Sequence, residues 1–342
     1  MQTLTVRNVN QALPELMRLF LTTGQPQESR NGDVLKIPGP VSICYEKPLE
    51  RVMFWPERNA NPFFHCLEAL WMLAGRNDVD FVSGIVPRMA TYSDDGSTFN
   101  AAYGFRWRRH FGHDQLESIA QVLRANPQDR RQVLAMWDGL QDLGSKSLDL
   151  PCNTQVYFSR ADSGALDMMV TNRSNDVVWG ALGANAVHFS VLQEYMAAMI
   201  GCEVGKYWQV SFNLHLYLEP HKGLMKRMVD KAWPSRQYLN QCPYELGQVE
   251  TTPLLKSRAV DKFDADVAML LDEGPCLGMT DWFVRKVAGP LLEAIRVYKD
   301  DGEFTRNVRV QTAQNIVQNR MPHNSDWRLA AWEWLERRRQ SD

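Results

Sequence analysis

A cysteine follows a proline at the start of an apolar segment, in LDLPCNTQVYF, where Cys152 supplies the thiol. A thiolate is a soft nucleophile that adds to electron-poor carbon, provided that nearby cations lower its pKa. A single cysteine is more often a buried, unreactive side chain. Cys152 is therefore a candidate nucleophile whose reactivity depends on what surrounds it.

Three arginine segments have the chemistry of a phosphate site. The guanidinium fork donates two parallel hydrogen bonds, which suits phosphate oxygens. The segments are Arg30 in SRNGD, the pair Arg130 and Arg131 in DRRQV, and Arg173 with Ser174 in NRSND. Each segment alone is typical of a solvated surface charge, and only their convergence on one pocket would make a phosphate site.

A carboxylate interrupts the apolar helix segment FHCLEALWML at Glu68. Such a side chain lies either at the solvated edge of the helix or in a pocket that raises its pKa, where it can move protons through water. The residues alone favour the solvated edge slightly.

Polar side chains alternate along FNLHLYLEPH, which places His215, Tyr217, Glu219 and His221 on one face of a strand. Two histidines and a glutamate are suitable metal ligands. Pro220 interrupts the strand before the last histidine, however, so contacts to a polar substrate or a structural role are favoured. No metal site is predicted.

The composition is that of an ordinary globular enzyme, with 342 residues, 44% apolar and 23% charged residues and a net charge of −2. The charge balance argues against a dedicated nucleic-acid or membrane binder but leaves room for a local arginine cluster. The six cysteines have no paired spacing, which predicts thiols in a reducing compartment. With no leader-like N-terminus and no long apolar run, we expect a cytoplasmic protein.

The secondary structure needed to position these residues is visible as periodic segments. Helices are predicted over 11–21, 62–75, 116–123, 187–200 and 281–338. Strands are predicted over 41–45, 131–137, 155–158, 166–172 and 207–217, with 155–158 and 166–172 forming a hairpin and 76–113 rich in loops. We predict one α/β unit over 1–280 with a helical extension over 281–342 packed on the same domain.

The order and spacing of these segments, from Arg30 to His221, resemble the family of thymidylate synthases and deoxypyrimidylate hydroxymethylases. The resemblance is carried by SRNGD, LEALWMLAG, AAYGFRW, DRRQVLAMW, LPCNT, NRSNDVVWGALGAN and NLHLY. Each segment alone is common, whereas seven in this order are specific. The fold implied is α/β (α+β), a mixed β-sheet with surrounding helices.

The resemblance also implies roles. Cys152 would add to C6 of a deoxypyrimidine monophosphate, and C5 would then attack the one-carbon unit of 5,10-methylenetetrahydrofolate. The 5′-phosphate would be bound by Arg30, Arg173 and Ser174, together with Arg130 and Arg131 from the other subunit of a homodimer. Glu68 and Tyr103 would handle water and proton transfer, and His215 and Tyr217 would contact the sugar hydroxyl. The folate would be bound by Asp176, Tyr92 and Trp71.

The residue that reads the base separates uracil from cytosine. An asparagine amide in the family pairs with N3–H and O4 of uracil, whereas cytosine enzymes tend to use aspartate. In the family, this asparagine lies at a regular interval from the aspartate before it and from the histidine after it. The interval counted forward from Asp176 ends at Ala184, whereas the interval counted back from His215 ends at Asn185. One residue inserted in GALGA reconciles the two counts, so Asn185 is the predicted reader and uracil the predicted base.

Three departures from the synthase pattern bear on the product. Asn153 stands where the synthase has a histidine, Met89 and Tyr92 replace folate-flanking tryptophans, and the chain ends in RRRQSD rather than a short apolar tail. A less sealed site favours water over hydride as the final reactant. We predict 5-hydroxymethylation of dUMP, a reaction that suits a phage that modifies its DNA. The alternatives are a thymidylate synthase, a dCMP hydroxymethylase and an inactive nucleotide-binding relative.

Overall fold

A computed structural model describes residues 1–232, 242–256, 259–300, 302 and 304–339. The chain divides into two compact units, each made of several segments. Unit 1 comprises Met1–Ala60, Gln115–Leu143 and Pro151–Gly247, and unit 2 comprises Asn61–Asp114, Gly144–Leu150 and Gln248–Asp342. The predicted boundary near residue 280 stays a prediction.

The α-helices in chain order are α1 Val9–Thr23, α2 Pro62–Leu73, α3 Val79–Ile85, α4 Tyr103–Phe105, α5 Gln115–Ala125, α6 Asn185–Ile200, α7 Leu218–Ala232, α8 Val260–Glu273, α9 Gly289–Lys299, α10 Arg306–Arg320 and α11 Asp326–Glu336. The strands are β1 Gln2–Val6, β2 Gln25–Gln27, β3 Val34–Lys36, β4 Val41–Tyr45, β5 Val133–Ala135, β6 Asn153–Arg160, β7 Leu166–Asn172, β8 Asn175–Asp176, β9 Val204–Ser211 and β10 Leu214–Tyr217. The predicted α/β class is confirmed.

Unit 1 contains a six-stranded mixed sheet in the order β1-β4-β9-β7-β6-β5. The predicted hairpin is confirmed, since β6 and β7 pair antiparallel across a turn in which Gly164 has a φ of +82°. Side chains of β7 alternate between buried and half-buried, as a sheet with one covered face requires. The buried helix α6 packs against β7 and β9 and covers that face.

A smaller sheet in the same unit has the order β2-β3-β10-β8. The prediction of one strand over 207–217 is wrong, because β9 and β10 belong to different sheets and are separated at Phe212 and Asn213. The chain changes sheets there because Phe212 N–H donates to Asn172 (2.9 Å) while the Asn213 carbonyl accepts from Asn175 (2.8 Å). Local alternation cannot reveal which partner strand each half pairs with.

Unit 2 is built mainly from helices around the apolar helix α2. Asn61 caps α2 by accepting from the Phe64 N–H, and Gly75 follows its end with a φ of +67°. The Phe63 ring meets Trp334 of α11 edge to face at 5.4 Å. The helical C-terminal region is thus confirmed, and it shares a core with α2.

The expectation that 76–113 is rich in loops is wrong, since this region contains α3, a 3₁₀ turn at Pro87–Tyr92 and α4, which is continued by a π-helical turn to His110. These helices are short and cross other helices closely. A Cβ on Gly104 would lie 1.8 Å from the Met72 carbonyl oxygen, so α4 packs on α2 only with glycine there. None of the helices in the described ranges is long and apolar enough to cross a membrane.

Candidate active site

Cys152 immediately precedes β6 and is half-buried, whereas Cys44, Cys66, Cys202 and Cys242 are buried. Its backbone carbonyl accepts a hydrogen bond from the Arg173 N–H at 3.0 Å. The hairpin pairing therefore places the thiol segment beside the first residues after β7. A half-buried thiol at a strand end is accessible for addition chemistry in a way that a core cysteine is not.

Arg173 is the predicted phosphate ligand that the fold brings to the cysteine. Its Nε donates to the Pro151 carbonyl at 2.8 Å, and its guanidinium carbon lies 5.7 Å from the centre of the Trp137 ring. The side chain is nevertheless exposed, and Ser174 beside it is half-buried. The guanidinium is thus held close to the cysteine segment while its outer face meets solvent.

The other predicted phosphate ligands lie in exposed loops of unit 1. Arg30 occupies the turn before β3, and Arg130 and Arg131 precede β5. Arg131 donates to the Asp129 carboxylate, and these bonds hold the pKa of Asp129 well below its usual range. The convergence of all these arginines on one phosphate stays a prediction.

Asn185 begins α6 and is 7% exposed, so its amide is nearly buried. Its Oδ1 accepts from Asn153 Nδ2 at 3.1 Å, and its Nδ2 donates to Asn175 Oδ1 at 3.0 Å. The residue next to the candidate nucleophile therefore touches the predicted base reader directly. Sequence reasoning missed Asn175, and its position between Ser174 and Asp176 was the available signal.

The segment before α6 is π-helical over Val177–Ala184, with Gly183 outside helical φ/ψ values. A π-helical turn holds one more residue than an α-helical turn of similar length. This geometry suits the one-residue insertion inferred in GALGA. Arg58 helps to hold the segment by donating to the Val178 carbonyl at 2.8 Å, and burial lowers the pKa of Arg58 to about 10.

His215 and Asp176 are register partners in the parallel pair β10 and β8. Burial lowers the pKa of His215 and outweighs the neighbouring Asp176 carboxylate, which raises it. The His215 and Tyr217 rings meet edge to face at 5.1 Å, which confirms that these two side chains share a face. Their contact with the sugar hydroxyl stays a prediction.

Asp176 has two differently placed carboxylate oxygens. Oδ1 accepts from the Trp179 N–H at 2.5 Å, whereas Oδ2 is buried with no hydrogen-bond partner among the described residues. Trp179 itself is 37% exposed and its ring meets His221 edge to face at 5.3 Å. Sequence reasoning did not single out Trp179, although a tryptophan three residues after Asp176 is an aromatic surface close to an available acceptor.

The predicted residues of unit 2 differ in exposure. Glu68 is 9% exposed, so the slightly favoured solvated edge is wrong, because the apolar stripe of α2 is broad enough to bury nearly every side chain of the helix. Trp71 is buried and donates its indole N–H to Asp78 Oδ1 at 3.1 Å. Tyr103 and Tyr92 are half-buried. Their roles, and the folate contact of Trp71, stay predictions.

Strand β10 ends at Tyr217, and Glu219 and His221 lie in the following helical segment α7. The expectation that four polar side chains share one strand face is therefore wrong beyond Tyr217, because the strand ends there and the chain is helical after the extended backbone of Glu219. In the described part of the chain no three His, Cys, Asp or Glu side chains are grouped so that they could hold a metal ion.

Comparison with known proteins gives consistent matches. The family model described as thymidylate synthase matches residues 14–268. The chain is 47% identical to a deoxyuridylate hydroxymethyltransferase of Pseudomonas phage M6 over 340 residues, which is 99% of this chain and 95% of that protein. It is 37% identical to the same-named protein of Bacillus phage SP01, over 63% of this chain and 60% of that protein. A thymidylate synthase of Streptococcus gordonii is 36% identical over 41% of this chain and 50% of its own length.

Proposed function

The chain belongs to the thymidylate synthase family, and from this membership we propose that it hydroxymethylates C5 of dUMP with the one-carbon unit of 5,10-methylenetetrahydrofolate. The observation that carries the proposal is the near full-length similarity to a deoxyuridylate hydroxymethyltransferase, at 47% identity. The half-buried thiol beside Arg173 and the buried amide of Asn185 supply the chemistry that this reaction needs.

The Cys152 thiolate adds to C6 of the pyrimidine, and the electron pair of the C5–C6 bond forms a bond from C5 to the one-carbon unit. Loss of the C5 proton and release of the tetrahydrofolate nitrogen leave an exocyclic methylene group on the ring. Water adds to that carbon and the C6–S bond breaks, which regenerates the thiolate. No hydride moves, so the folate leaves as tetrahydrofolate.

Nucleotide binding in this proposal uses charge at one end and amide geometry at the other. Arg30, Arg173 and Ser174 hold the 5′-phosphate, His215 and Tyr217 contact the sugar, and Asn185 pairs with N3–H and O4 of uracil. The exposed guanidinium of Arg173 and the neutral form favoured for His215 are compatible with these tasks.

Folate supplies the one-carbon unit when bound, and Asp176 fits the pterin because its buried Oδ2 is an acceptor without a partner in the described chain. The proposal assigns Glu68 and Tyr103 to proton and water handling, and Tyr92 and Trp71 to folate. The burial of Glu68 supports its part, because a carboxyl withdrawn from solvent can exchange protons with an ordered water.

A homodimer completes the proposal, with Arg130 and Arg131 reaching the phosphate of the partner's nucleotide. One face of the six-stranded sheet supports it. Tyr157, Met169 and Trp208 follow one another in register across β6, β7 and β9, and all three are half-exposed in the single chain. A second copy of this chain on that face would cover them.

The reaction is tested by incubating the protein with methylenetetrahydrofolate and either dUMP or dCMP and identifying both products. We expect 5-hydroxymethyl-dUMP and tetrahydrofolate, and their absence with Cys152→Ala. dTMP with dihydrofolate would replace the proposal with thymidylate synthesis, and preference for dCMP would reassign the base. Nucleotide binding without turnover, unchanged in Cys152→Ala, would indicate a relative that has lost its chemistry.

The shared phosphate site is tested by mixing two inactive variants, Cys152→Ala and the double variant R130A/R131A. Mixed dimers would contain one site with both an intact thiol and intact arginines, so we expect activity to return to about a quarter of that of the unmodified protein. No recovery after confirmed subunit exchange would place these arginines outside the partner's site.

A further inference from the structure

Four amide side chains form a continuous buried chain at the candidate base site, and we refer to Asn153, Asn185, Asn175 and Gln209 as the amide ladder. Each is at most 7% exposed. Asn153 donates to Asn185 (3.1 Å), Asn185 donates to Asn175 (3.0 Å), and Asn175 donates to Gln209 Oε1 (3.2 Å). Every amide in the ladder thus depends on the orientation of its neighbour.

The ladder ends on a backbone group whose polarity cannot change. Gln209 Nε2 donates to the Ala181 carbonyl oxygen at 3.0 Å, and a carbonyl oxygen only accepts. Gln209 must therefore point Nε2 at Ala181 and Oε1 at Asn175. Asn175 must in turn point Nδ2 at Gln209 and Oδ1 at Asn185.

This order fixes Asn185, whose Nδ2 faces Asn175 and whose Oδ1 faces Asn153. An asparagine amide has two N–H donors and two acceptor lone pairs, so one of each remains available on Asn185. A donor and an acceptor in this fixed order match O4 and N3–H of uracil. The reversed amide would match N4–H and N3 of cytosine.

We propose that the amide ladder, anchored at the Ala181 carbonyl through Gln209, sets the orientation of the Asn185 amide and thereby the preference for uracil over cytosine. The inference rests on the proposed function and assigns Gln209 and Asn175 as positioning residues. A buried amide turned the wrong way would leave polar groups of the base unpaired, which sites of this kind discriminate strongly.

Ser211 provides a matched control within the same cluster. Its Oγ accepts from Asn175 Nδ2 at 3.0 Å, so it is bonded to the same amide as Gln209. A hydroxyl can donate or accept, so it would follow Asn175 in either orientation. Loss of Ser211 removes a buried hydrogen bond without removing the anchor.

The test is the ratio of kcat/KM for dUMP to that for dCMP. Gln209→Met removes the anchor while keeping the side-chain volume, and we expect the ratio to fall at least about tenfold. Ser211→Ala should keep the ratio. Gln209→Glu should also keep it, because a carboxyl oxygen still accepts from Asn175, although a buried carboxyl costs more stability than methionine.

A purely structural role for Gln209 predicts the opposite order, with Gln209→Glu more damaging to the ratio than Gln209→Met. That result, an unchanged ratio in Gln209→Met, or an equal fall in Ser211→Ala would overturn the inference. If Gln209→Met does not fold, Asn175→Ala is the second variant, since it removes the link between Gln209 and Asn185 and should lower the ratio as well.

Turnover of dUMP by the unmodified protein tests the proposed function separately. If neither nucleotide is turned over, the ratio of the equilibrium Kd values for dUMP and dCMP replaces the kinetic ratio in the same variants. The ladder inference therefore stands or falls on the change in preference and the proposed function on the product formed.

Discussion

The amide ladder and the predicted phosphate arginines are held in different ways. Each ladder amide is buried and bonded to the next, down to a backbone carbonyl. The arginines at 30, 130, 131 and 173 are exposed, and the bonds of Arg131 and Arg173 go to a neighbouring carboxylate and to a backbone carbonyl. The proposed base reader thus lies in the folded core of unit 1, whereas the proposed phosphate ligands lie on its surface.

Because of this difference, substitutions in the amide ladder are expected to change stability, whereas substitutions of the arginines are expected to change nucleotide affinity. A change in the ladder leaves buried polar groups without partners, which costs unfolding free energy as well as specificity. A change at an exposed arginine removes a ligand contact while the core stays intact. The two regions are therefore expected to respond to substitution in distinguishable ways.

The largest effect is expected from Gly180→Ala. The new Cβ would lie 2.3 Å from Asn175 Oδ1 and 3.2 Å from Asn185 Nδ2, so the ladder must shift. We expect a loss of roughly 2–4 kcal/mol in unfolding free energy, from overpacking and unsatisfied amides, together with reduced turnover of dUMP. Urea denaturation measures the first. Gly139→Ala is the control, since its Cβ would meet no atom within 4 Å.

Arg173→Gln should act on affinity instead. Loss of the charged fork is expected to raise KM for dUMP by about 30-fold, equivalent to roughly 2 kcal/mol, with less than about 1 kcal/mol lost in unfolding free energy. Arg173→Lys keeps the charge and should recover part of the affinity. A fall in stability as large as that of Gly180→Ala would contradict the separation of the two regions.

A smaller effect is expected from acid. Because burial lowers the pKa of His215 below its ordinary 6.5, the unfolded chain takes up a proton more readily than the folded one. The contribution of His215 to the free energy of unfolding is therefore fully present above about pH 6.5 and is lost as the pH falls through the folded pKa. His215→Gln should flatten this decline in denaturation curves measured from pH 7 to pH 5. The exposed His113→Gln controls for loss of an imidazole.

The smallest effect on stability is expected from Arg131→Gln. The Arg131 side chain is 83% exposed and solvent screens its charge, although the Asp129 carboxylate that it bonds is only 2% exposed, so the unfolding midpoint should fall only slightly. If the phosphate site is shared between subunits, KM for dUMP rises all the same. A markedly lowered midpoint with unchanged KM would make Arg131 a structural residue.

The sequence predicted the long periodic elements well, including the hairpin of β6 and β7 and the helices α1, α2, α5 and α6. It did not predict the short helices within 76–113, whose few residues carry no clear period and which depend on close packing such as that at Gly104. The prediction also treated β9 and β10 as one strand, because the alternation of side chains continues through Phe212 while the partner strand changes.

The candidate site divides in the same way. Motif order alone led to the predicted roles of Cys152, Asp176 and Asn185, which stay predictions. The predicted solvated position of Glu68 is wrong, because burial depends on what packs around α2. The last residues of RRRQSD, 340–342, lie outside the described residues, so the departure they represent stays an inference from sequence.

The sequence by itself determined the candidate residue types for the reaction, their order along the chain and the family to which the chain belongs, because these are carried by local motifs and their spacing. Only the tertiary structure decided which way the Asn185 amide faces. That orientation depends on Asn175, Gln209 and the Ala181 carbonyl, which the crossing of β8, β9 and the π-helical segment brings together. Hydrogen-bond polarity is a property of neighbours in space, and no spacing along the chain encodes it.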